Sequence, residues 1–282
     1  MKKIIKVMIA MGSVLAASLL TTSCTFFKVD DDETVNKDDM KLVWSDEFNY
    51  TGVPRTSDWK YQTGHGQDGW GNNELQNYID NSTVSADNTA IVEDGHLKIR
   101  AYYKGGEWKS ARLNTRQSWK YGYIEARMKV TDKMGAWPAF WMMPTNFNAN
   151  TNKWPDCGEI DIMENAPYQA GKNVVFSSLH AEGHYNSHPE SIGKKNFGSS
   201  FGDEWHIFGL QWDEKKISAV YDGEVMGTYY NDGTGKKNWP YNTDFYIILN
   251  LAIGGNLGGT PAATSLQGSD VEFLVDYVRV YQ

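Results

Sequence analysis

The stretch GEIDIMEN contains three carboxylic acids, Glu159, Asp161 and Glu164. Glu159 and Asp161 alternate with Ile160 and Ile162, which is typical of a strand with one polar and one apolar face. Glu164 is out of step with this alternation, so a regular strand would point it away from the other two acids.

Carboxylic acids grouped on one face can carry out acid–base and nucleophilic chemistry. Glycosidic bond hydrolysis, for example, uses two carboxyl groups that flank the scissile bond. A β-bulge inserts one extra residue into a strand and re-aims the residues that follow. We therefore predict a bulge around Ile162 and Met163 that brings Glu164 onto the face of Glu159 and Asp161.

Such a grouping would also tune the acids. Ionised Glu159 and Asp161 would raise the pKa of Glu164 towards that of a usable general acid. Asp161 could also hydrogen-bond Glu159 and fix its orientation.

The alternative for any acidic strand face is a solvated surface. Here the neighbouring segments, GAWPAFWMMP upstream and KWPDC immediately before, are aromatic and apolar. The acids are also not interleaved with Lys or Arg, as is usual for an exposed charged face. Both features favour a functional cluster.

The rest of the chain has the alternation of strands and no long helical period. In YGYIEARMKV, one face carries Ile124, Ala126 and Met128. HLKIRAYY alternates similarly, and KISAVYDGEVMGTYY contains the hairpin turn signal Asp222-Gly223. EWHIFGLQW and FYIILNLAI are apolar on both faces, as expected inside a layered core. These patterns predict an all-β sandwich of antiparallel sheets.

Composition narrows the class of ligand. The 282-residue chain has a formal net charge of -8 and no basic cluster, so we do not expect nucleic acid as a partner. Aromatic residues make up 13% of the chain, including 11 Trp and 16 Tyr. Flat aromatic surfaces suit ligands with apolar faces and polar edges, of which sugars are the leading example.

The N-terminal region reads as a targeting segment rather than part of the fold. Residues 1–23 combine a basic start with a short apolar run, and Cys24 follows small residues. This arrangement resembles a lipoprotein signal with Cys24 as the lipidated residue; plain secretion is the alternative. Residues 24–39 form an acidic tether, and residues 40–282 form the folded domain. We expect the lipid to anchor the protein at the bacterial cell envelope, in the outer membrane. The protein would then face either the cell surface or the periplasm.

Two further features of the sequence concern single residues. Cys157 would be unpaired, and we expect a small buried residue rather than a nucleophile. Asp276 shares the parity of Leu274, Val278 and Val280, which predicts a carboxylate on an apolar face. Either backbone N–H groups, an Arg or a Ca²⁺ ion could compensate it.

The segments LVWSDEFN, GWGNNELQNY, YGYIEARMKV, GAWPAFWMMP, GEIDIMEN, WHIFGLQW, ILNLAIGGNLGG and VDYVRVYQ together resemble glycoside hydrolase family 16, in its bulged form typical of laminarinases. The resemblance covers essentially the whole folded domain. It implies a β-jelly-roll sandwich with a substrate cleft on the concave sheet, and endo-hydrolysis with retention. Glu159 then matches the nucleophile, Asp161 the assisting acid and Glu164 the general acid/base.

The resemblance also implies ligand contacts. The positions that match sugar-binding residues are Trp137, Trp141, Trp154, His180, Asn73 and Arg112. Those that match a structural Ca²⁺ site are Glu47, Gly95 through its carbonyl, and Asp276. No cofactor is implied for catalysis. The alternatives are core packing for Trp137 and Trp141, with Pro138 at an edge or bend, and a plain turn for Asn73.

These features predict a retaining endo-β-glucanase that acts on β-1,3-glucan, mixed-linkage β-1,3-1,4-glucan or both. We expect a monomer that contacts the membrane through its lipid anchor only. One alternative is a galactan hydrolase of the same fold, of the agarase or carrageenase type. A non-catalytic glycan-binding lipoprotein is the other.

Overall fold

The structure is a computed structural model that describes residue 37, residues 39–186 and residues 188–282. The predicted leader, the proposed lipidation site Cys24 and nearly all of the tether lie outside the described residues. No helix in the described part of the chain has both the length and the apolar character needed to cross a membrane.

Strands dominate the described chain. In chain order they are β1 (Leu42–Asp46), β2 (Trp59–Tyr61), β3 (Gln76–Tyr78), β4 (Ala90–Glu93), β5 (His96–Lys104), β6 (Glu107–Ser110), β7 (Arg112–Thr115), β8 (Gly122–Lys129), β9 (Ala136–Pro144), β10 (Glu159–Asn165), β11 (Val174–His180), β12 (Glu190–Asn196), β13 (His206–Trp212), β14 (Lys216–Tyr221), β15 (Glu224–Tyr230), β16 (Phe245–Ile253) and β17 (Val271–Tyr281).

Helical segments are short. They are α1 (Pro167–Ala170), α2 (Gly255–Gly258) and α3 (Thr260–Ser265), together with a 3₁₀ turn at Phe201–Asp203 and an irregular helical turn at Gly69–Asn73. The last of these contains left-handed backbone at Trp70 and Gly71, so it is a compact loop rather than a regular helix.

The strands form two sheets, and all pairings but β3 with β6 are antiparallel. The first sheet has ten strands, with β15-β14-β13-β8-β17-β5-β6-β3 in order and β1 and β4 pairing with β17 and β5. The second has seven, in the order β12-β11-β10-β9-β16-β7-β2. This is the predicted β-jelly-roll sandwich.

The core lies between the sheets. Alternate residues of β8, including Ile124 and Ala126, point inward from the ten-stranded sheet, and Phe140 and Met142 of β9 do so from the seven-stranded sheet. The opposite face of the seven-stranded sheet therefore carries the other parity, including the acids of β10. The hairpin predicted at Asp222-Gly223 is also confirmed, because the turn joins β14 to β15.

Two local predictions need correction. Asp276 does not share a face with Val278 and Val280, because a register shift between Val275 and Tyr277 changes the parity of β17. Val278 and Val280 are buried, whereas the Asp276 side chain is 33% exposed. Pro138 is not in an edge strand, because β9 lies between β10 and β16. It immediately precedes Ala139, the residue of β9 at which the pairing with β10 ends.

Candidate active site

The bulge predicted in β10 is present. On the β11 side, Asp161 pairs with Ser178 and Glu164 with Phe176, so two residues of β10 stand opposite one residue of β11. A register shift at the same place interrupts the pairing with β9. Ile162 and Met163, the two adjacent residues of the bulge, are both fully buried in the core.

The bulge places Glu164 on the same face as Asp161. Asp161 lies opposite Trp141, and Glu164 lies opposite Ala139. Trp141 and Ala139 are two residues apart on β9, and directly opposed residues of antiparallel strands share a face. The Trp137 indole Nε1–H also donates to Glu164 Oε1 at 2.8 Å. The odd parity of Glu164 is thus what assembles the acidic face.

His180 bridges the other two acids. Its Nε2 lies 3.0 Å from Asp161 Oδ2 and 3.7 Å from Glu159 Oε1. One ligand atom from each of the three residues lies within 4.8 Å of the others. We expected Asp161 to hydrogen-bond Glu159; the structure instead sets an imidazole against both carboxylates.

Burial dominates the electrostatics of the three acids. The pKa of Glu159, Asp161 and Glu164 is raised in each case to about 8, with desolvation as the largest cause and, for Glu159 and Glu164, the charge of Asp161 as a smaller one. Two groups lower the pKa of Glu164 and so oppose this rise: the hydrogen bond from the Trp137 N–H and the charge of His180. Desolvation, rather than the mutual repulsion predicted from the sequence, is the larger cause. Because the groups interact, they titrate as a cluster.

Cys157, two residues before Glu159, is a buried apolar contact, as predicted. It is 1% exposed and packs with Met143 and Ile248. Burial raises the pKa of its thiol to about 12, so the thiolate needed for nucleophilic attack does not form near neutral pH.

Trp141 is held by a chain of hydrogen bonds that starts at Asn250, on the same face of the sheet as the acids. Its Nε1–H donates to Asn250 Oδ1 at 2.7 Å, and Asn250 Nδ2 donates to the Tyr78 hydroxyl at 3.1 Å. Tyr78 donates to Glu74 Oε2 at 3.3 Å, and Gln76 Nε2 donates to the same oxygen at 2.6 Å. The indole orientation is therefore fixed through Asn250 of the neighbouring strand β16 and, behind it, Tyr78 of β3 in the other sheet.

Arg112 lies between two aromatic rings. Its guanidinium carbon is 4.5 Å from the ring centroid of Trp70 and 4.7 Å from that of Trp141, which is cation–π geometry. Its Nε–H donates to Gln62 Oε1. Arg112 is 9% exposed and therefore stabilises the aromatic surface, with little of it open to solvent.

The remaining predicted sugar contacts lie at either side of this face. The Trp154 ring packs 5.8 Å from both His180 and Tyr185, and its buried indole N–H has no partner among the described residues. Asn73 lies in the irregular turn, with a positive φ of 58°, and donates to Asn256 Oδ1 at 2.9 Å. Asn73 is thus a turn residue, the alternative given above, and its side chain is also exposed.

The predicted calcium ligands lie away from the acids, on the ten-stranded sheet. Glu47 accepts two hydrogen bonds from Arg279, at 3.0 and 2.7 Å, and Asp276 accepts one from Arg127 at 2.8 Å. Gly95 lies in the turn between β4 and β5 with a φ of 80°. In the structure Arg127 compensates Asp276, as one of the sequence alternatives proposed.

Several residues of the site were not predicted. They are Glu74, Tyr78 and Asn250 in the hydrogen-bonded chain, Trp70 against Arg112, and Phe176 opposite Glu164. Phe176 could have been found by extending the parity of His180 along β11, since the two residues are four apart. Glu74, Tyr78 and Asn250 come together only through the sheet order, which the local sequence does not contain.

Comparison with known proteins agrees with this geometry. Residues 70–277 match the model of Glycosyl hydrolases family 16. The β-glucanase of Rhodothermus marinus is 35% identical over 257 residues, which cover 86% of this chain and 85% of that protein. The keratan-sulfate endo-1,4-β-galactosidase of Sphingobacterium multivorum is 32% identical over 88% of this chain and 57% of its own length.

Solved structures share the fold. The laminarinase of Flavobacterium sp. UMI-01 superposes with a TM-score of 0.75 at 33% identity, covering 86% of this chain and all of that one. A variant of SCLam, a non-specific endo-β-1,3(4)-glucanase co-crystallised with 1,3-β-D-cellotriosyl-glucose, superposes with a TM-score of 0.76 at 32% identity. It covers 89% of this chain and 98% of that one.

Proposed function

The chain belongs to glycosyl hydrolase family 16, and on that premise we propose that it is a retaining endo-β-glucanase. Its substrates are β-1,3-glucan of the laminarin type, mixed-linkage β-1,3-1,4-glucan, or both. The observation that carries the proposal is the β10 bulge, which sets Glu164 on one face with Glu159 and Asp161 beside aromatic side chains. The β-glucanase and laminarinase relatives support the substrate class.

The reaction proceeds in two displacements. Glu159 attacks the anomeric carbon while Glu164 gives its proton to the departing glycosidic oxygen, which leaves a glycosyl–enzyme ester. Glu164, now ionised, takes a proton from water, and the resulting hydroxide oxygen displaces Glu159 with net retention. His180 and Asp161 orient Glu159, since His180 contacts both carboxylates.

Aromatic rings would bind the sugar units on either side of the scissile bond. Trp141 and Trp154 offer apolar ring faces, and Trp137 adds a third next to Glu164. Such rings stack on the C–H faces of pyranose rings, while Arg112 and Asn73 can bind hydroxyl groups at the margins.

A product profile tests the proposal. The purified protein is incubated with laminarin, mixed-linkage β-glucan, cellulose and agarose, and the oligosaccharides are resolved by chromatography and mass. We expect short oligomers from laminarin or mixed-linkage glucan and none from the other two. Proton NMR during the first turnovers should show the β-anomer forming first, as retention requires.

The E159Q variant serves as the control for catalysis, because it retains the size of the side chain and removes the nucleophilic charge. It should bind the same glucan without cleaving it. Products from agarose alone would replace the substrate with a galactan. Binding without products from the wild-type protein would favour a glycan-binding role.

We also propose a structural Ca²⁺ ion held by Glu47, the Gly95 carbonyl and Asp276. Asp46 pairs with Val278 and Leu97 with Val275, so the three positions converge at one place on the sheet. Oxygen ligands from separate segments suit Ca²⁺. The ion would compete with Arg279 and Arg127 for the carboxylates. Chelation should lower the melting temperature of the wild-type protein and leave that of D276N unchanged.

Anchoring and assembly are proposals from the sequence alone. We infer lipidation at Cys24, which would hold a monomeric enzyme at the outer membrane. C24A should move the protein from the membrane fraction to the soluble fraction without changing its specific activity. Protease accessibility in intact cells would distinguish the cell surface from the periplasmic side, and light scattering would give the oligomeric state.

A further inference from the structure

The β10 bulge takes one backbone carbonyl out of the regular ladder. Asp161 pairs with Trp141 and Met163 with Phe140, so Ile162 is the extra residue with no partner on β9. A bulge locally disrupts ladder hydrogen bonding, and a buried carbonyl without a partner is costly. The carbonyl of Ile162 therefore needs a donor from outside the ladder.

Ser177 supplies that donor from the core side of β11. Its hydroxyl donates to the Ile162 carbonyl oxygen at 2.6 Å. The Ser177 oxygen also lies 2.6 Å from the Tyr221 hydroxyl. Because the one proton of Ser177 is used on the carbonyl, Tyr221 is the donor in this second bond. Tyr221 belongs to β14, so the chain of bonds crosses the interior from one sheet to the other.

The position of the Tyr221 hydroxyl is fixed by packing. Tyr221 and Ser177 are both fully buried, and the Tyr221 ring packs edge-on against Phe208 at 5.4 Å between centroids. A Cβ atom at Gly193 would lie 2.9 Å from the hydroxyl, so β12 closes over it. Burial also raises the pKa of Tyr221, which keeps it a neutral donor over the range of any assay.

A polar pair in an apolar core costs free energy unless both of its groups are hydrogen-bonded. Here the pair ends on the backbone of the bulge, two residues before Glu164. We propose that Ser177 and Tyr221 are positioning residues that hold the bulge in shape and so aim Glu164 at the glycosidic oxygen. The effect on catalysis rests on the proposed function, whereas the effect on the shape of the bulge rests on the structure alone.

Two substitutions test the proposal in the full protein. Ser177→Ala removes the donor to the carbonyl, and Tyr221→Phe removes the second bond while the ring is kept. We expect kcat to fall by about tenfold or more in S177A, since misplacement by about 1 Å can cost up to a hundredfold. KM should stay within about twofold, because the aromatic sugar contacts are untouched. The alkaline limb of the pH profile should also move, since the surroundings of Glu164 change.

Matched controls separate this role from ordinary stability. Ser218 is also fully buried, and its hydroxyl bonds to the Thr228 hydroxyl on the neighbouring strand at 2.8 Å. Tyr123 is 2% exposed on the ten-stranded sheet. S218A and Y123F should lose stability as S177A and Y221F do, but keep kcat and the pH profile of the wild type. S177A/Y221F should be no slower than S177A, because the two residues act in series.

The outcomes distinguish a failure of the inference from a failure of the proposed function. If the wild type cleaves glucan while S177A and Y221F behave like their controls, the inference is wrong and the proposed function stands. If the wild type cleaves no polysaccharide, the proposed function fails, and a crystal structure of Y221F or S177A still decides the inference. We expect residues 161–164 to change register or to flip a peptide; an unchanged bulge would overturn it.

Discussion

Opposing influences set the proton affinity of Glu164. Burial and the charge of Asp161 favour the neutral acid, whereas the indole N–H of Trp137 stabilises the carboxylate. A residue that first donates a proton and then accepts one works best when neither form is strongly favoured. Trp137 is therefore more than a surface for sugar, because it moves Glu164 back towards balance.

Replacing Trp137 with Phe tests this influence. The ring remains, but the hydrogen bond to the carboxylate is lost, so the pKa of Glu164 should rise. Because the general acid must be protonated to act, the alkaline limb of kcat/KM should move to higher pH. Trp141→Phe is the control, since its N–H bonds to Asn250 instead. An alkaline limb that stays in place in W137F would contradict the assigned role.

The raised pKa of Glu164 also predicts a stability effect. Its folded-state pKa is about 8, against about 4.3 for an unperturbed Glu. Between these values the folded state holds the proton more tightly, so the contribution of Glu164 to stability falls as pH rises through this window. E164Q has no such proton to lose, so it should be more stable than the wild type at pH 8 and nearly equal to it at pH 4.

Thermal melts at the two pH values give the measurement. The gain at the higher pH should exceed about 1 kcal/mol, or about 2–4 °C for a domain of this size. Glu214 is exposed, and E214Q should show no comparable difference between the two pH values. A gain of the same size at both values would mean that packing, rather than ionisation, explains the variant.

At the scale of the element, the alternation of polar and apolar residues predicts which face of a strand a side chain lies on, except where a bulge intervenes. In β10 the misfit of Glu164 was visible in the sequence, and the predicted bulge is there. In β17 an acid was also out of step, at Asp276, but the shift between Val275 and Tyr277 was not recognised. The difference is physical: a single carboxylate on an apolar face can be compensated by an Arg, by backbone N–H groups or by a cation, so its position alone does not require a bulge.

The hairpin between β5 and β6 offers a clean test of backbone conformation. Its two loop residues, Gly105 and Gly106, have φ values of 70° and 91°, and no atom lies within 4 Å of an added Cβ. Substitution there costs conformational energy without a clash. G106A should lose about 1 kcal/mol, and G106N less, because Asn tolerates the left-handed region. Melting temperatures should rank wild type, G106N, G106A, with equal kcat; the reverse order of the variants would refute the explanation.

At the scale of the whole molecule, local periodicity predicted the sandwich but not the order of its strands. The Trp141–Asn250–Tyr78 chain and the Tyr221–Ser177 pair each join segments more than 40 residues apart in sequence. Such contacts depend on sheet order and on how one sheet covers the other. Short-range patterns therefore yielded the strands and the acids, while the residues that hold them in place required the three-dimensional structure.

Net charge gives a last prediction at this scale. The chain carries -8, so its long-range field repels polyanions and leaves neutral polysaccharides unaffected. Raising the salt concentration from about 10 mM to about 0.3 M shortens the Debye length from about 30 Å to well under 10 Å. For a neutral glucan, kcat/KM should change by less than about twofold over this range, because no steering is lost. A sulfated galactan should instead be processed faster as salt screens the repulsion. A steep fall of glucan hydrolysis with salt would show that charge contributes to binding, contrary to a cleft that recognises sugar by its aromatic rings.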